Sequence, residues 1–445
     1  MPGEIPYKPR VGYVSLAFPG FYLGEEKASE KHREIFTRLK KLEFEIINYD
    51  VAMNISEAKK AGEVFAEKKV DFIFALLTTF VPDHFIVELL DAYNVPIFLY
   101  ALEREIGCIS LVGAMLANPT LYELNKQYTI LAGDIGDPDL IKQLKVFAST
   151  ALMKRILRQM RVGYMGKNPD IMFSMQADEY GLKKLLGVTV VPLRDFDYTG
   201  RVNRVAEEEA SSDWDSVKLQ VGKVAVSDED GVEASKGFIA MREMSEEMNL
   251  DALSINCWTQ LKSKICLPVA RFNDIGIGAG CEGDLHSTIL MRLLYCITGR
   301  AAINGDFMRL YPDVNQIMFS HCGAGSFSMA RSREHITLHD SIETRDGIGV
   351  FFPADQPGRV SAVNLIGSRA GYRLFVLTGD VQSTDMDYEG NPMRIAFDRP
   401  VRDILQAAVK HGAGHHWSIA YGDFSREFEL LAQFLNIEYH HLSRV

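Results

Sequence analysis

The chain has 445 residues, 47% of them apolar and 24% charged, with a formal net charge of −11. That balance is ordinary for globular proteins and excludes a disordered chain, a collagen-like repeat or a pure coiled coil. At about 150 residues per domain, the length predicts about three domains. Acids outnumber bases, 59 Asp plus Glu against 48 Lys plus Arg. A nucleic-acid partner is therefore not expected, because such binding rests on clustered cations that displace counterions. The cysteines at 108, 257, 266, 281, 296 and 322 include no C-x-x-C pair and read as reduced thiols of a cytoplasmic protein. The first ten residues are polar and proline-bearing, unlike a secretory signal. No run approaches the roughly 18 apolar residues of a membrane helix, so no membrane partner is expected.

The first 135 residues alternate short apolar runs with amphipathic ones. Strands are predicted over 10–18, 44–49, 71–77, 95–101 and 128–134. Helices are predicted over 25–41 and from a cap at Ser56 to Lys68, where Ala58, Ala61, Val64 and Phe65 keep the 3–4 spacing. This alternation implies βαβ units and a parallel sheet. No G-x-G-x-x-G follows the first strand, so no dinucleotide site is announced there. A long helix over 138–161 leads to a second α/β pattern, with strands at 162–165, 188–192 and 253–258 and helices around 175–186, 199–210 and 233–248. After Gly299 come short alternating runs at 336–340, 349–353, 359–366, 372–378 and 394–397, punctuated by Gly, Asp and Asn. They read as an antiparallel sheet or barrel. A helix near 425–435 and a strand at 438–440 close the chain. The expected organisation is an α/β domain over 1–145, a second α/β domain over 146–299 and a β-rich domain over 300–445.

Nine of the eleven histidines lie at or beyond residue 286, which directs attention to the C-terminal third. The segment from Gly276 to Asp284 is glycine-rich, and Leu285, Ile289, Leu293 and Ile297 then repeat at helical spacing. Glu282 thus falls at a strand-to-helix turn, where the helix dipole favours a carboxylate. The plainer alternative makes Asp284 an N-cap and Glu282 a solvated first-turn acid. Asp306 follows Asn304-Gly305, which alone reads as a hairpin turn. His321 lies between an apolar run and Cys322-Gly323; His415 and His416 precede a strand, so only one of them is expected to face a given site. One Glu, one Asp and one or two His make an oxygen and nitrogen site for Mg²⁺ or Mn²⁺, with imidazole extending the range to Co²⁺ and Zn²⁺. Trp258, Phe307, Tyr311, Phe327 and Trp417 are aromatic candidates for a sugar face. Arg300, Arg309 and Arg331 are candidates for an anionic substituent.

These segments, in this order, resemble the L-fucose isomerase and L-arabinose isomerase superfamily. The match rests on Cys281-Glu-Gly-Asp284, the helix end at Thr298-Gly299, Asn304-Gly-Asp306, His321-Cys-Gly and Gly414-His-His416. It covers roughly 270–420; ahead of that it rests on domain order. The resemblance implies two Rossmann-like α/β domains and a β-rich, barrel-like C-terminal domain. It makes Glu282 and Asp306 the catalytic pair, and Glu282, Asp306 and His416 the metal ligands. His321 resembles an additional metal-ligand histidine of the arabinose branch; beside the resemblance, His415 and Trp417 are further candidates for a substrate contact or an additional ligand. The resemblance further implies a divalent metal, Mn²⁺ foremost with Mg²⁺ or Co²⁺ as alternatives, and a homo-trimer or homo-hexamer with sites near subunit interfaces. The implied reaction interconverts an aldose and its 2-ketose through a cis-enediol. Two departures stand out: the chain is shorter than a typical fucose isomerase, and Asp306 stands where arabinose isomerases carry Glu. The sugar stays open, from pentoses and hexoses to sulfonated or phosphorylated ones. The competing functions are a non-catalytic sugar-binding or sensing protein and a metal-dependent hydrolase, although no H-E-x-x-H is present.

Overall fold

The computed structural model describes residues 7–19, 25–102, 109–167, 169–259 and 261–444. Cys108, and residues 1–6 on which the signal-peptide expectation drew, lie outside them. The chain divides into two compact units, Tyr7–Arg155 and the part from Ile156 onward. Among the described residues, no helix is long and apolar enough to cross a membrane.

In the first unit, β1 (Arg10–Leu16), β2 (Glu45–Ala52), β3 (Phe72–Leu77), β4 (Ile97–Ala101) and β5 (Tyr128–Ala132) form a parallel sheet in the order β2-β1-β3-β4-β5. Every residue of β3 and β4 is buried. An unbroken apolar run of this kind belongs to a parallel strand covered on both faces. The helix after β2 spans Ile55–Glu67 and is capped by Asn54, not Ser56: the Asn54 side chain accepts from the Glu57 amide at 3.0 Å.

In the second unit, β6 (Arg161–Met165), β7 (Thr189–Leu193), β9 (Ala252–Ile255) and β10 (Gly278–Gly280) form a second parallel sheet, order β10-β9-β6-β7. The short β8 (Lys223–Val224) pairs instead with β13 (Thr337–Asp340), whose other neighbour is β14 (Ile348–Phe351). The helix expected over 199–210 is two helices, Asp195–Val202 and Glu207–Lys218. Glu207, Glu208 and Glu209 start the second one, where the dipole favours acids.

The remaining strands are β11 (Ile303–Tyr311), β12 (Gln316–Ser320), β15 (Arg359–Ser368), β16 (Gly371–Gln382), β17 (Met393–Ala396), β18 (His416–Tyr421) and β19 (Glu438–His441). Their order is β15-β18-β11-β12-β17-β16-β19, and β15 also pairs with β16. Six antiparallel strands therefore close into a ring, and β19 adds to β16 in parallel. Closure leaves those six without an open edge. The molecule is thus a mixed α/β protein with parallel sheets and a β-rich C-terminal region, as the sequence pattern implies.

The helix Leu285–Thr298 joins the second parallel sheet to the ring, packing on β9 and β10 and on β11, β15 and β18. It is buried almost all round, and Gly299, at φ 65°, ends it in the left-handed conformation that glycine adopts freely. Its seat on β10 leaves no room for a methyl group at Gly280, whose Cβ would run into Thr288 Oγ1. Gly280→Ala is expected to destabilise the protein by about 1–3 kcal/mol through overpacking, read as a lower urea midpoint.

Candidate active site

After β10 the chain turns through Cys281, Glu282 and Gly283 before Asp284 starts the helix. The turn is closed by Asp284 N–H donating to Cys281 O at 3.1 Å, and tied to β9 by Gly283 N–H donating to Ile255 O at 2.9 Å. Glu282 and Gly283 both have left-handed backbones, φ 60° and 64°. Glycine adopts that conformation without penalty, whereas a glutamate there costs about 1 kcal/mol. Such strain is held at positions where the side chain must be aimed. Glu282 is only 8% exposed, so it is not a solvated first-turn acid.

Asp306 and His416 come together through the ring. Asn304, Gly305 and Asp306 lie inside β11, not in a hairpin turn, and Asp306 stands directly opposite His416 on β18. Opposed residues of neighbouring strands share a face, so the two side chains converge. Ser320 at the end of β12 flanks Asp306 on its other side, and His321 follows it. Asn364 on β15 holds the approach to β18: its side-chain N–H donates to His416 O at 2.7 Å, and its side-chain oxygen accepts from Gly414 N–H at 2.9 Å.

His416 is the hub. Its Nδ1 lies 2.9 Å from Asp284 Oδ2. The ionised carboxylate only accepts, which places the proton on Nδ1 and leaves the Nε2 lone pair free. Nε2 faces His321 Nε2 at 3.2 Å, Asp306 Oδ1 at 3.5 Å and Glu282 Oε2 at 3.6 Å. Asp284 also caps the helix, accepting from Ser287 N–H at 3.1 Å, so the capping expectation holds and a second role joins it. Burial would raise the Asp284 carboxyl, but the hydrogen bond and charge of His416, together with His286 and Ser287, hold it below the usual carboxylate range. Burial disfavours charge on His321, yet Cys322, whose Sγ lies 3.1 Å from His321 Nδ1, and the Asp306 and Glu282 carboxylates outweigh it and push the imidazole well above its ordinary value. This pocket favours positive charge at its centre.

The donor atoms fit a divalent ion. Glu282, His415 and His416 form one group, and Asp306, His321 and His416 another, each with its ligand atoms within 4.8 Å of one another. Carboxylate oxygens and imidazole nitrogens suit Mn²⁺, Mg²⁺ or Co²⁺. An imidazole whose far nitrogen is bound to a carboxylate is the usual outer support of such a ligand. His415 is exposed, but it joins the first group and its ring lies 4.2 Å from that of His416, so both histidines of the pair reach the site. The alternation argument fails there because His415 precedes the strand.

Trp417 points to the other face of β18, fully buried against Phe319, so packing and not sugar stacking is its role. Phe307 also packs edge-on to Phe319. Arg300 donates to Gln356, Arg331 pairs with Asp355, and Arg309 lies over Tyr311. In the sequence Asp284 is legible only as a cap; its place two residues after Glu282 is the available signal.

No protein-family model matches the chain. The sulfoquinovose isomerase of Alkalicoccus urumqiensis is 24% identical over 370 residues, 81% of this chain and 83% of that one. The sulfoquinovose isomerase of a Clostridium species is 20% identical over 447 residues, 96% and 98% of the two chains. An L-arabinose isomerase of a Nocardioides species is 24% identical over 307 residues, 64% and 60%. These relatives are all sugar isomerases, and the similarity to the first two runs through most of the chain. It supports a sugar isomerase and not fucose isomerase in particular.

Asp284→Asn keeps a capping side chain but removes the anion behind His416. Affinity for Mn²⁺, measured by isothermal titration, is expected to fall about 10–100-fold with the far-UV spectrum unchanged.

Proposed function

We propose that this chain converts an aldose bearing a sulfonate group, sulfoquinovose or a close analogue, into its 2-ketose. The enzyme class is aldose–ketose isomerase, an intramolecular oxidoreductase, and sulfoquinovose isomerases similar over most of the chain support it. The observation that carries the reading is the convergence of Glu282 and Asp306 on the Nε2 edge of His416, at 3.6 and 3.5 Å. Two carboxylates at one point are what a hydrogen shift between adjacent carbons needs. One removes the proton from C2 of the aldose and returns it to C1, while the other moves a proton between the two oxygens, through a cis-enediol. Both face the same imidazole, and the division of labour belongs to the pair.

Glu282, Asp306 and His416 would hold a divalent ion, Mn²⁺ first and Mg²⁺ or Co²⁺ next, with His321 as a fourth ligand or a substrate contact. Bound there, the ion supplies Lewis-acid stabilisation of the negative charge that develops on the substrate oxygens. Asp284 keeps His416 in the tautomer that leaves Nε2 open. Asn304 lies two residues before Asp306 on the same strand face, and among the described residues neither of its buried amide atoms has a hydrogen-bond partner. It is placed to bind a substrate hydroxyl or a water.

The same reading carries a cytoplasmic homo-trimer or homo-hexamer. Support comes from the helix Ser110–Glu123, which presents Leu111, Val112, Met115 and Leu116 at 39–54% exposure, an apolar stripe suited to a subunit contact.

With Mn²⁺ and the sulfonated aldose in D₂O, solvent deuterium is expected at C1 of the ketose, and chelation of the ion should abolish turnover. Glu282→Gln keeps size but removes base capacity, and turnover should drop at least about 10²-fold. Complete transfer of a C2 deuterium label to C1 without washout would reject the proton route and leave both carboxylates as ligands alone.

A further inference from the structure

The loop after β9 lies beside the turn after β10, at the carboxyl ends of two adjacent parallel strands, where α/β sheets characteristically bind ligands. The second of these turns carries Glu282; the first carries Trp258 and Lys262. The Asn256 side-chain oxygen accepts from Trp258 N–H at 3.0 Å and anchors the loop. Segment 341–347 packs against it: Thr344 Oγ1 donates to Ser263 Oγ at 2.6 Å. Between the two loops stands the Lys262 ammonium, 3.4 Å from Glu343 Oε2 and 4.0 Å from the centroid of the Trp258 indole. Glu343 is itself part of the site's field. Burial first, and then the charges of Cys322 and Glu282, raise its carboxyl, while Lys262 opposes them.

Four carboxylates, Glu282, Asp284, Asp306 and, within the field of Glu282, Glu343, stand among the imidazoles of His321, His415 and His416 at or beside the reacting centre. That set repels an anionic substrate unless a cation receives its charged end. Lys262 is such a cation, held in place on two sides. An ammonium has three N–H donors, so the bond to Glu343 leaves two for a ligand. Trp258, 37% exposed, offers an apolar face beside it. Arg300, Arg309 and Arg331 are engaged elsewhere, as described above.

We propose that Lys262, steadied by Trp258 and Glu343, is the specificity-determining residue that binds the anionic end group, a sulfonate or a phosphate, of an aldose whose C1–C2 end lies at Glu282 and Asp306. The proposal rests on the isomerase reading and adds to it the group that selects charged sugars over neutral ones.

The test compares wild type with Lys262→Met and Lys262→Arg on glucose, glucose 6-phosphate and sulfoquinovose, each with Mn²⁺. In Lys262→Met the ratio of kcat/KM for the best anionic sugar to that for glucose should fall about 10–100-fold, the loss of one charge-assisted contact, and the change should sit in KM. Lys262→Arg should restore most of the ratio. Whether sulfonate or phosphate is the natural end group follows from which wild-type value is larger. A purely structural role would lower all three sugars together and overturn the proposal, as would a wild-type enzyme that prefers glucose. Failure of the wild type to isomerise any aldose would instead reject the activity. Lys262 is then judged by equilibrium binding of sulfoquinovose, and equal affinity of wild type and Lys262→Met would overturn it.

Discussion

The pairing of Asp306 with His416 across β11 and β18 is the constraint on which the site depends. Side chains alternate along a strand, so a slip of one residue would carry one of the two to the opposite face and bring Trp417 or Phe307 in its place. The register is held from several sides. β11 is bonded on its other edge to β12, and β18 to β15, whose pairing with β16 closes the ring. Asn364 bonds the backbone on both sides of His415, and Ser418 Oγ donates to Ser287 O at 3.2 Å, fastening β18 to the helix that follows Glu282. A closed ring resists slippage because every strand must move at once.

The second constraint is electrostatic. Carboxylates this close to one another and to imidazole lone pairs are costly to bury unless a positive charge lies among them. At His321, burial works against charge, while Cys322 and the Asp306 and Glu282 carboxylates favour it. Lys262 adds a charge at the rim. The same balance explains why the left-handed backbone at Glu282 is tolerated: about 1 kcal/mol of local strain is small beside a misplaced buried charge.

Much of this architecture is legible in the sequence. The parallel strands β3 and β4 announce themselves as unbroken apolar runs, and the helix Leu285–Thr298 by its spacing and terminal glycine. β11 is not legible, because Asn304-Gly305 has the composition of a tight turn. In the structure Gly305 serves close packing instead: a Cβ there would approach Phe319 Cβ to 3.0 Å. Glu282, Asp306, His321 and His416 can be picked out as candidates because their neighbours carry recognisable motifs. Lys262 and Glu343 cannot, since a lysine and a glutamate 81 positions apart acquire meaning only when two loops meet. Trp417 shows the opposite failure. An aromatic beside a histidine looks functional in one dimension, but alternation turns it into the core.

Asp284 gives one carboxylate two duties, closing the first turn of a helix through Ser287 and orienting His416 through its other oxygen. Fraying of that turn and release of the imidazole are therefore the same local opening. Whatever occupies the Nε2 side of His416 must, by thermodynamic reciprocity, tighten the helix start, and whatever loosens the helix must weaken the occupant. Amide protection at the base of this helix is then a gauge of occupancy, readable without turnover.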